Sequence, residues 1–380
     1  MVAGETSGDV LGAGLISELT RRFPAARFFG IGGPRMQAVG FDVLYEMDRI
    51  ELMGLDGLFD KLGDILKVRS SLYQTIVQEK PDIFVGIDVP DFNIGLEKKL
   101  RKKGVLTVHY VSPTVWAWRG YRIRKIRKAV DHMLALFPFE KRYYQEKNIP
   151  VTCVGHPIAD EIPDSDRGRA RRALNIGLNI GLGDADTLIA VLPGSRGSEV
   201  RSLGSVFVET MRKLHSSYPQ LRFVLPFANS KVRKIFLENA GSLEGLSVEL
   251  LDGNSRLAME AANLVLLASG TAALEAALLE RPHVVAYKLS PVTWWFFRFL
   301  RHVNYYSMSN QLLPEPVVPE LMQNEATAEN IFNALNRYLE HPELGMELES
   351  QFRRIRGQLK LNANVQAANA ISDLLGQGNG

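Results

Sequence analysis

Short apolar runs, rich in β-branched residues, alternate along this chain with longer stretches of helical period. The runs Arg27–Gly30, Asp82–Ile87, Val105–Val111, His132–Phe137 and Val151–Gly155 are predicted strands. A second series follows at Thr187–Leu192, Leu221–Leu225, Val248–Leu251, Leu264–Ala268 and His283–Tyr287. Most of these runs lack polar alternation, as expected of strands covered on both faces. Strand–helix alternation predicts parallel sheets. The two series are separated by Ile158–Asp186, rich in Arg, Asp and Gly, and the tail Ala326–Leu375 has helical period only. The expected division is residues 1–165, 166–330 and 331–380, the last being helices that pack back across the domains. Two doubly wound α/β domains facing a cleft bind ligands at the carboxyl ends of their strands.

Composition adds limits. A chain of 380 residues exceeds one ordinary core, and 46% hydrophobic with 23% charged residues is globular. A net charge of +3 is too small to argue for nucleic acid, and none is expected as a partner. The single cysteine excludes an internal disulfide and fits a reducing compartment. No signal peptide opens the chain, and apolar runs fall short of the ~20 residues a membrane span needs. A cytoplasmic protein is expected.

The strand ends carry the candidate chemistry. Leu264–Ala268 runs into Ser269-Gly270-Thr271 and a predicted helix, Ala272–Glu280. Gly270 permits a tight turn, and the helix start offers N–H groups and its dipole to an anion. Ser269 and Thr271 add hydroxyls, and Glu275 could accept both hydroxyls of a ribose. Equally, Thr271 could cap the helix and Glu275 suit its dipole. Leu192 leads into Pro193-Gly194-Ser195-Arg196, a second glycine turn, whose guanidinium suits phosphate oxygens. Asp82–Ile87 ends in Asp88, placed to take a proton from a hydroxyl nucleophile. Asp91, nearer the helix Ile94–Arg101, is the better cap candidate. The opening Gly4-Glu5-Thr6-Ser7-Gly8-Asp9 is a further glycine turn before a helix, Val10–Thr20, and is not a Walker loop. The histidines are scattered, so no metal site is expected. His109, inside a strand, reads as a core residue; His156 could line the cleft or the hinge.

As a set these segments resemble the lipid-A-disaccharide synthase family, inverting glycosyltransferases of the two-domain GT-B fold. The likeness lies in Ala3–Asp9, Gly30–Gln37, Val85–Asn93, His109–Trp118, Pro138–Lys141, Gly155–Asp160, Leu192–Val200, Leu250–Gly253 and Ala268–Leu278. It implies that UDP-2,3-diacylglucosamine and 2,3-diacylglucosamine 1-phosphate condense to a β-1,6-linked disaccharide 1-phosphate and UDP, with no metal or cofactor. Asp88 is then the base and Arg196 stabilises the leaving diphosphate. Ser195, Arg196, Ser269, Gly270, Thr271 and Glu275 hold UDP, and Ser7, Gly8 and Asp9 stand on the acceptor side. Asn310 falls at a nucleotide-side asparagine of the family, although this chain has Met308-Ser309 where the family more often has Leu-Pro. The family also has an apolar strand before the first motif. Only Met1-Val2 precede it here, so that strand is expected to be truncated and the start to lie upstream.

Acylated substrates imply contact with a membrane, at the cytoplasmic face of the inner membrane. Leu55, Leu58, Phe59, Leu62, Ile65 and Leu66 form one helical stripe beside Lys61, Lys67 and Arg69, suited to acyl docking or to an ordinary core face. Trp294–Arg301 mixes aromatics with arginines, as at an interface or in a buried helix. Arg119, Arg122, Arg124, Lys125, Arg127 and Lys128 could attract anionic lipid or the acceptor's 1-phosphate, or form a solvated basic face. A homodimer stays open. Competing readings are another UDP-sugar enzyme, such as a UDP-GlcNAc 2-epimerase, and a non-catalytic nucleotide-sugar sensor.

Overall fold

The computed structural model describes residues 1–50, 58–116, 120–175, 186–268, 270–289, 294 and 305–377, excluding the side chains of 58–62, 270, 271 and 377. The chain forms two compact units. One is Met1–Asp160 with Gln358–Gly380, the other Glu161–Gly357.

The first unit is built on seven parallel strands in the order β3-β2-β1-β4-β5-β6-β7. They are β1 Val2–Ala3, β2 Phe28–Gly32, β3 Phe41–Glu46, β4 Ile83–Ile87, β5 Leu106–Tyr110, β6 His132–Ala135 and β7 Val151–Cys153. The central place expected for a first strand is held by the two residues of β1. They pair with Ile31 on one side and with Gly86 and Ile87 on the other. Gly30 makes this approach possible: its φ is +138°, and a Cβ there would lie 2.2 Å from the Met1 carbonyl oxygen. Strand β3 was not predicted from the sequence. It is an edge strand whose Asp42 and Glu46 break the apolar run, so half-exposure hid it.

The helix Leu58–Glu79 presents Ile65, Val68, Leu72 and Ile76 to the sheet, at spacings of three and four. They pack with Phe84, Phe92, Leu96 and Leu100. Each such side chain contributes about 1.5–3 kcal/mol when fully buried. The helix Ala363–Gln377 returns to the helix Thr6–Arg22, where Arg22 Nη1 donates to Ser372 Oγ at 3.3 Å. The Asp160 carboxylate caps its start, accepting from the N–H groups of Asn362 and Ala363 at 2.9 and 2.6 Å.

The second unit has six parallel strands in the order β10-β9-β8-β11-β12-β13. These are β8 Leu188–Leu192, β9 Arg222–Phe227, β10 Val248–Asp252, β11 Leu264–Leu267, β12 His283–Tyr287 and β13 Glu320–Met322. Every residue of β8 and β11 is buried. The helix Gly197–Ser217 covers them with Val200, Leu203, Phe207, Met211 and Leu214. The short edge strand β13 was also not predicted.

In both sheets the strand order reverses beside the first strand, between β1 and β4 and between β8 and β11. Such a reversal leaves a crevice outside the carboxyl ends of the strands. No helix of the described residues is long and apolar enough to cross a membrane.

Candidate functional site

Asp88 stands at the switch point of the first sheet. It follows β4 with φ +52°, and Val89 after it has φ +42°. Val111, which follows the neighbouring β5, has φ +77°. Left-handed backbone is costly for such residues, most of all for β-branched valine, and persists only where surroundings enforce it. The enforcing contacts are clear. Asp88 N donates to Tyr110 O at 2.9 Å, tying the turn to the end of β5. The buried Asn93 amide donates to Asp88 O at 2.8 Å and reaches Val2 O and Ile87 O at 3.4 Å. One Asp88 oxygen accepts from Val89 N at 2.9 Å; among the described residues the other has no hydrogen bond.

Asp91 is not the cap the sequence suggested. The helix starts earlier than predicted, at Pro90, with Val89 as its cap residue and Asp91 inside its first turn. The Asp91 carboxylate instead pairs with Arg122 at 2.6 Å.

Below the Asp88 turn lies a buried polar column. Glu97 Oε1 is 2.6 Å from His109 Nδ1, and both side chains are fully buried. Burial raises the Glu97 pKa, against the opposing pull of His109. A Cβ on Gly86 would lie 2.3 Å from Glu97 Oε1, so glycine lets this carboxyl cross β4. His109 is thus a core histidine.

The loop after β5 is held by Glu140, which accepts from Trp116 Nε1 at 3.3 Å and Phe137 N at 3.1 Å. Burial lifts its pKa to about 7. The Ser112 and Tyr144 hydroxyls meet beside it at 3.0 Å. His156 lies against the Phe137 ring, and burial lowers its pKa to about 4, leaving it neutral.

The opening turn divides. Ser7 is exposed, Gly8 buried, and Asp9 is spent internally. The Asp9 carboxylate accepts from the N–H groups of Gly33, Arg35 and Met36, each at 3.0 Å. It therefore shapes the β2 turn. Gly4 touches the Asp88 turn, since a Cβ there would stand 2.8 Å from Val89 Cγ2.

At the second switch point, the turn after β8 is Pro193–Arg196, with Gly194 at φ +113°. A Cβ on Gly194 would lie 2.6 Å from Glu199 Oε2. That oxygen accepts from Ser195 N and Arg196 N at 3.0 and 3.2 Å, while Glu199 Oε1 meets Arg196 Nη1 at 3.4 Å. The guanidinium itself is mostly exposed, at 76%. Tyr287, at the end of β12, faces this pair; burial raises its pKa, and the Glu199 charge adds to the rise against Arg196. Neither Glu199 nor Tyr287 was assigned a role from sequence.

Ala268 N donates to Leu192 O at 3.1 Å, bringing the β11 turn beside the Arg196 turn. The helix Gly270–Leu278 starts there; Ser269, and the side chains of Gly270 and Thr271, lie outside the described residues. Glu275 Oε2 lies 3.6 Å from Arg256 Nε, a partner the sequence did not suggest. Arg256 follows the β10 turn, whose Gly253 and Asn254 have φ +75° and +56°.

Asn310 has a structural task. Only 5% exposed, its amide donates to Val318 O at 2.9 Å and to Glu320 Oε1 at 2.7 Å, and accepts from Val318 N at 3.0 Å. In this structure Asn310 braces residues 318–320. Leu55 lies outside the described residues, as do the side chains of Leu58, Phe59 and Leu62, Arg119 and residues 295–301. Of the remaining stripe, Ile65 joins the core and Leu66 is exposed.

A sequence model of the lipid-A-disaccharide synthetase family matches residues 1–371. The lipid-A-disaccharide synthase of Pseudomonas fluorescens is 47% identical over 378 residues, covering 99% of this chain and 98% of that protein. Among solved structures, the Neisseria meningitidis UDP-GlcNAc 2-epimerase bound to UDP-GlcNAc superposes with TM-score 0.59 at 15% identity, over 98% of each chain. Acinetobacter baumannii MurG superposes with TM-score 0.56 at 15% identity, also over 98% of each. At that identity the structural likeness speaks for the fold alone, which is GT-B. The sequence match decides against the epimerase alternative.

Proposed function

We propose a mechanism for this chain, which belongs to the lipid-A-disaccharide synthetase family and is a glycosyltransferase of lipid A biosynthesis. It takes a UDP-sugar donor. The donor is UDP-2,3-diacylglucosamine and the acceptor 2,3-diacylglucosamine 1-phosphate. Asp88 accepts the proton of the acceptor's 6-hydroxyl as that oxygen attacks the donor's anomeric carbon. The bond from that carbon to the diphosphate oxygen breaks, the configuration inverts, and UDP leaves. Its growing negative charge is met by Arg196 and by the helix start at Gly270. Glu275 accepts from the ribose hydroxyls, with Arg256 holding the carboxylate in place.

The observation that carries this reading is the Asp88 turn. A carboxylate is held on strained backbone at a switch point, with one oxygen spare. Strain of this kind costs about 1–3 kcal/mol per residue and is kept where position matters. Because both substrates are acylated, the enzyme works on a membrane surface, the cytoplasmic face of the inner membrane. The test is Asp88→Asn, assayed for disaccharide by mass spectrometry and for UDP binding by calorimetry. Lost turnover with retained UDP binding supports the assignment, and unchanged turnover rejects Asp88 as the base.

A further inference from the structure

Next to the Asp88 turn, a cavity of about 310 Å³ opens between the helix Pro90–Arg101, Pro113 and the helix Ile123–Arg127. Ile94 and Ile126 give it apolar walls, and Lys98, Arg122 and Lys125 line it with cations. Asp91 is the one acid in that lining, and it is bound to Arg122 at 2.6 Å. A single contact leaves most of a guanidinium's five donors for another anion. Arg69 adds a second guanidinium at the wall: a Cβ on Gly95 would lie 3.1 Å from its Nη1. The lining has a surplus of positive charge beside apolar surface, which suits a phosphate monoester on a larger organic body.

We propose that this cavity, formed by Lys98, Arg122 and Lys125 beside the Asp88 turn, is the subsite for the phosphate monoester of the acceptor sugar. This rests on the transferase mechanism above. Pro90 and Asp91 on the cavity wall follow Asp88 by two and three residues, so one turn carries the base and borders the anion site. A sugar whose attacking hydroxyl meets Asp88 presents its far end, the anomeric phosphate, to the cations. Arg124, Arg127 and Lys128 of the same basic run do not line the cavity, so the run divides into residues that grip the acceptor and residues that face solvent. Arg122, with 22% of its side chain exposed, gives direction, and the exposed Lys98 and Lys125 give charge.

The test compares the phosphorylated acceptor with the same sugar bearing a free 1-hydroxyl, in neutral detergent micelles. The proteins are wild type, Lys98→Ala/Lys125→Ala and Arg122→Lys. The expected result is a rise of about tenfold or more in KM for the phosphorylated acceptor in the double variant, with little change in kcat. Turnover of the free-hydroxyl sugar should not change. Arg122→Lys keeps the charge but loses the fork, and should show a smaller loss confined to the phosphorylated acceptor. Equal losses on both acceptors would show that these residues do not act through the phosphate and would overturn the subsite. So would an unchanged KM, with the transferase mechanism left standing. No disaccharide from wild type with either acceptor would overturn both.

Discussion

The two switch points solve different problems with the same topology. At β1 and β4 the turn is strained: Asp88, Val89 and Val111 all take positive φ without being glycine. Beneath it the polar groups of Asn93, Glu97 and His109 are fully buried. At β8 and β11 the turn is relaxed by Gly194, and its buried Glu199 braces an arginine that remains mostly in solvent. In the proposed mechanism Asp88 must meet one hydroxyl at one distance, which suits a backbone held in place from below. In the same proposed mechanism a diphosphate offers many oxygens, which suits a glycine turn and an exposed guanidinium. The first region holds position at a cost in strain, and the second holds charge and keeps freedom.

The sharpest break in that comparison comes at Asp88. Asp88→Asn keeps size and turn geometry but cannot take the proton, so kcat should fall by about 10²–10⁴ with UDP affinity unchanged. Next is Arg196→Ala, which removes charge stabilisation from the leaving group and should cost about 10²–10³ in kcat. Arg196→Lys should recover only part of this, because an ammonium lacks the bidentate fork. If Arg196→Ala raised the donor KM alone, the second region would be a binding device and not part of the transition-state machinery.

Glu140 offers a pH test of the braced side. Its pKa rises from an ordinary 4.5 to about 7 because burial disfavours the charge. The folded protein therefore keeps a proton that the unfolded chain gives up above 4.5. Its contribution lowers stability as pH rises from 4.5 to 7, by as much as about 3 kcal/mol. His156 and His283, lowered from 6.5 to about 4 by burial, act with the opposite sign, and their contribution to stability is lost as pH falls through that window. Glu140→Gln leaves the histidines in place. Denaturant unfolding of the two proteins from pH 4.5 to 7.5 should give a difference curve that climbs in favour of the variant. A flat difference would show that Glu140 stays ionised in the fold.

Much of this was legible in the sequence because it depends on short-range pattern. Largely apolar runs marked ten of the strands, and the glycine turns at Gly194 and Gly270 fall where the second sheet's strands β8 and β11 end. Asp88 stood out as a carboxylate directly after an apolar strand. What sequence left out is set by long-range contacts. Glu199 is the exception: it sits three and four residues beyond Arg196 and Ser195 and accepts from their N–H groups as a local helix-start brace, a short-range contact that the reading of the glycine turn passed over. Glu97 and His109 are twelve residues apart and meet only because the helix Pro90–Arg101, which carries Glu97, packs on β5, which carries His109. The exposed edges β3 and β13 carry little apolar signal. The internal bonds of Asn310 and Asp9 were not legible either, since their partners at residues 318–320 and 33–36 are set by the fold.

The smallest effect tests whether the second region is as loosely built as it looks. Tyr287 faces Arg196 and Glu199 and is half-buried. Tyr287→Phe removes a hydroxyl that aims the guanidinium, a contact worth about 0.5–1.5 kcal/mol, so kcat/KM should fall by tenfold at most. In an Arg196→Ala background the same change should cost less, because only the contact with Glu199 is left to lose. Stability should hardly move. The matching change on the other side, replacing the buried Asn93 (Asn93→Ala), strips a partner from the partly buried Asp88 carbonyl and should destabilise the fold by about 1–3 kcal/mol as well as slowing turnover. If Tyr287→Phe unfolded the protein as readily, the Arg196 turn would be braced like the Asp88 turn, and the contrast between the two switch points would fail.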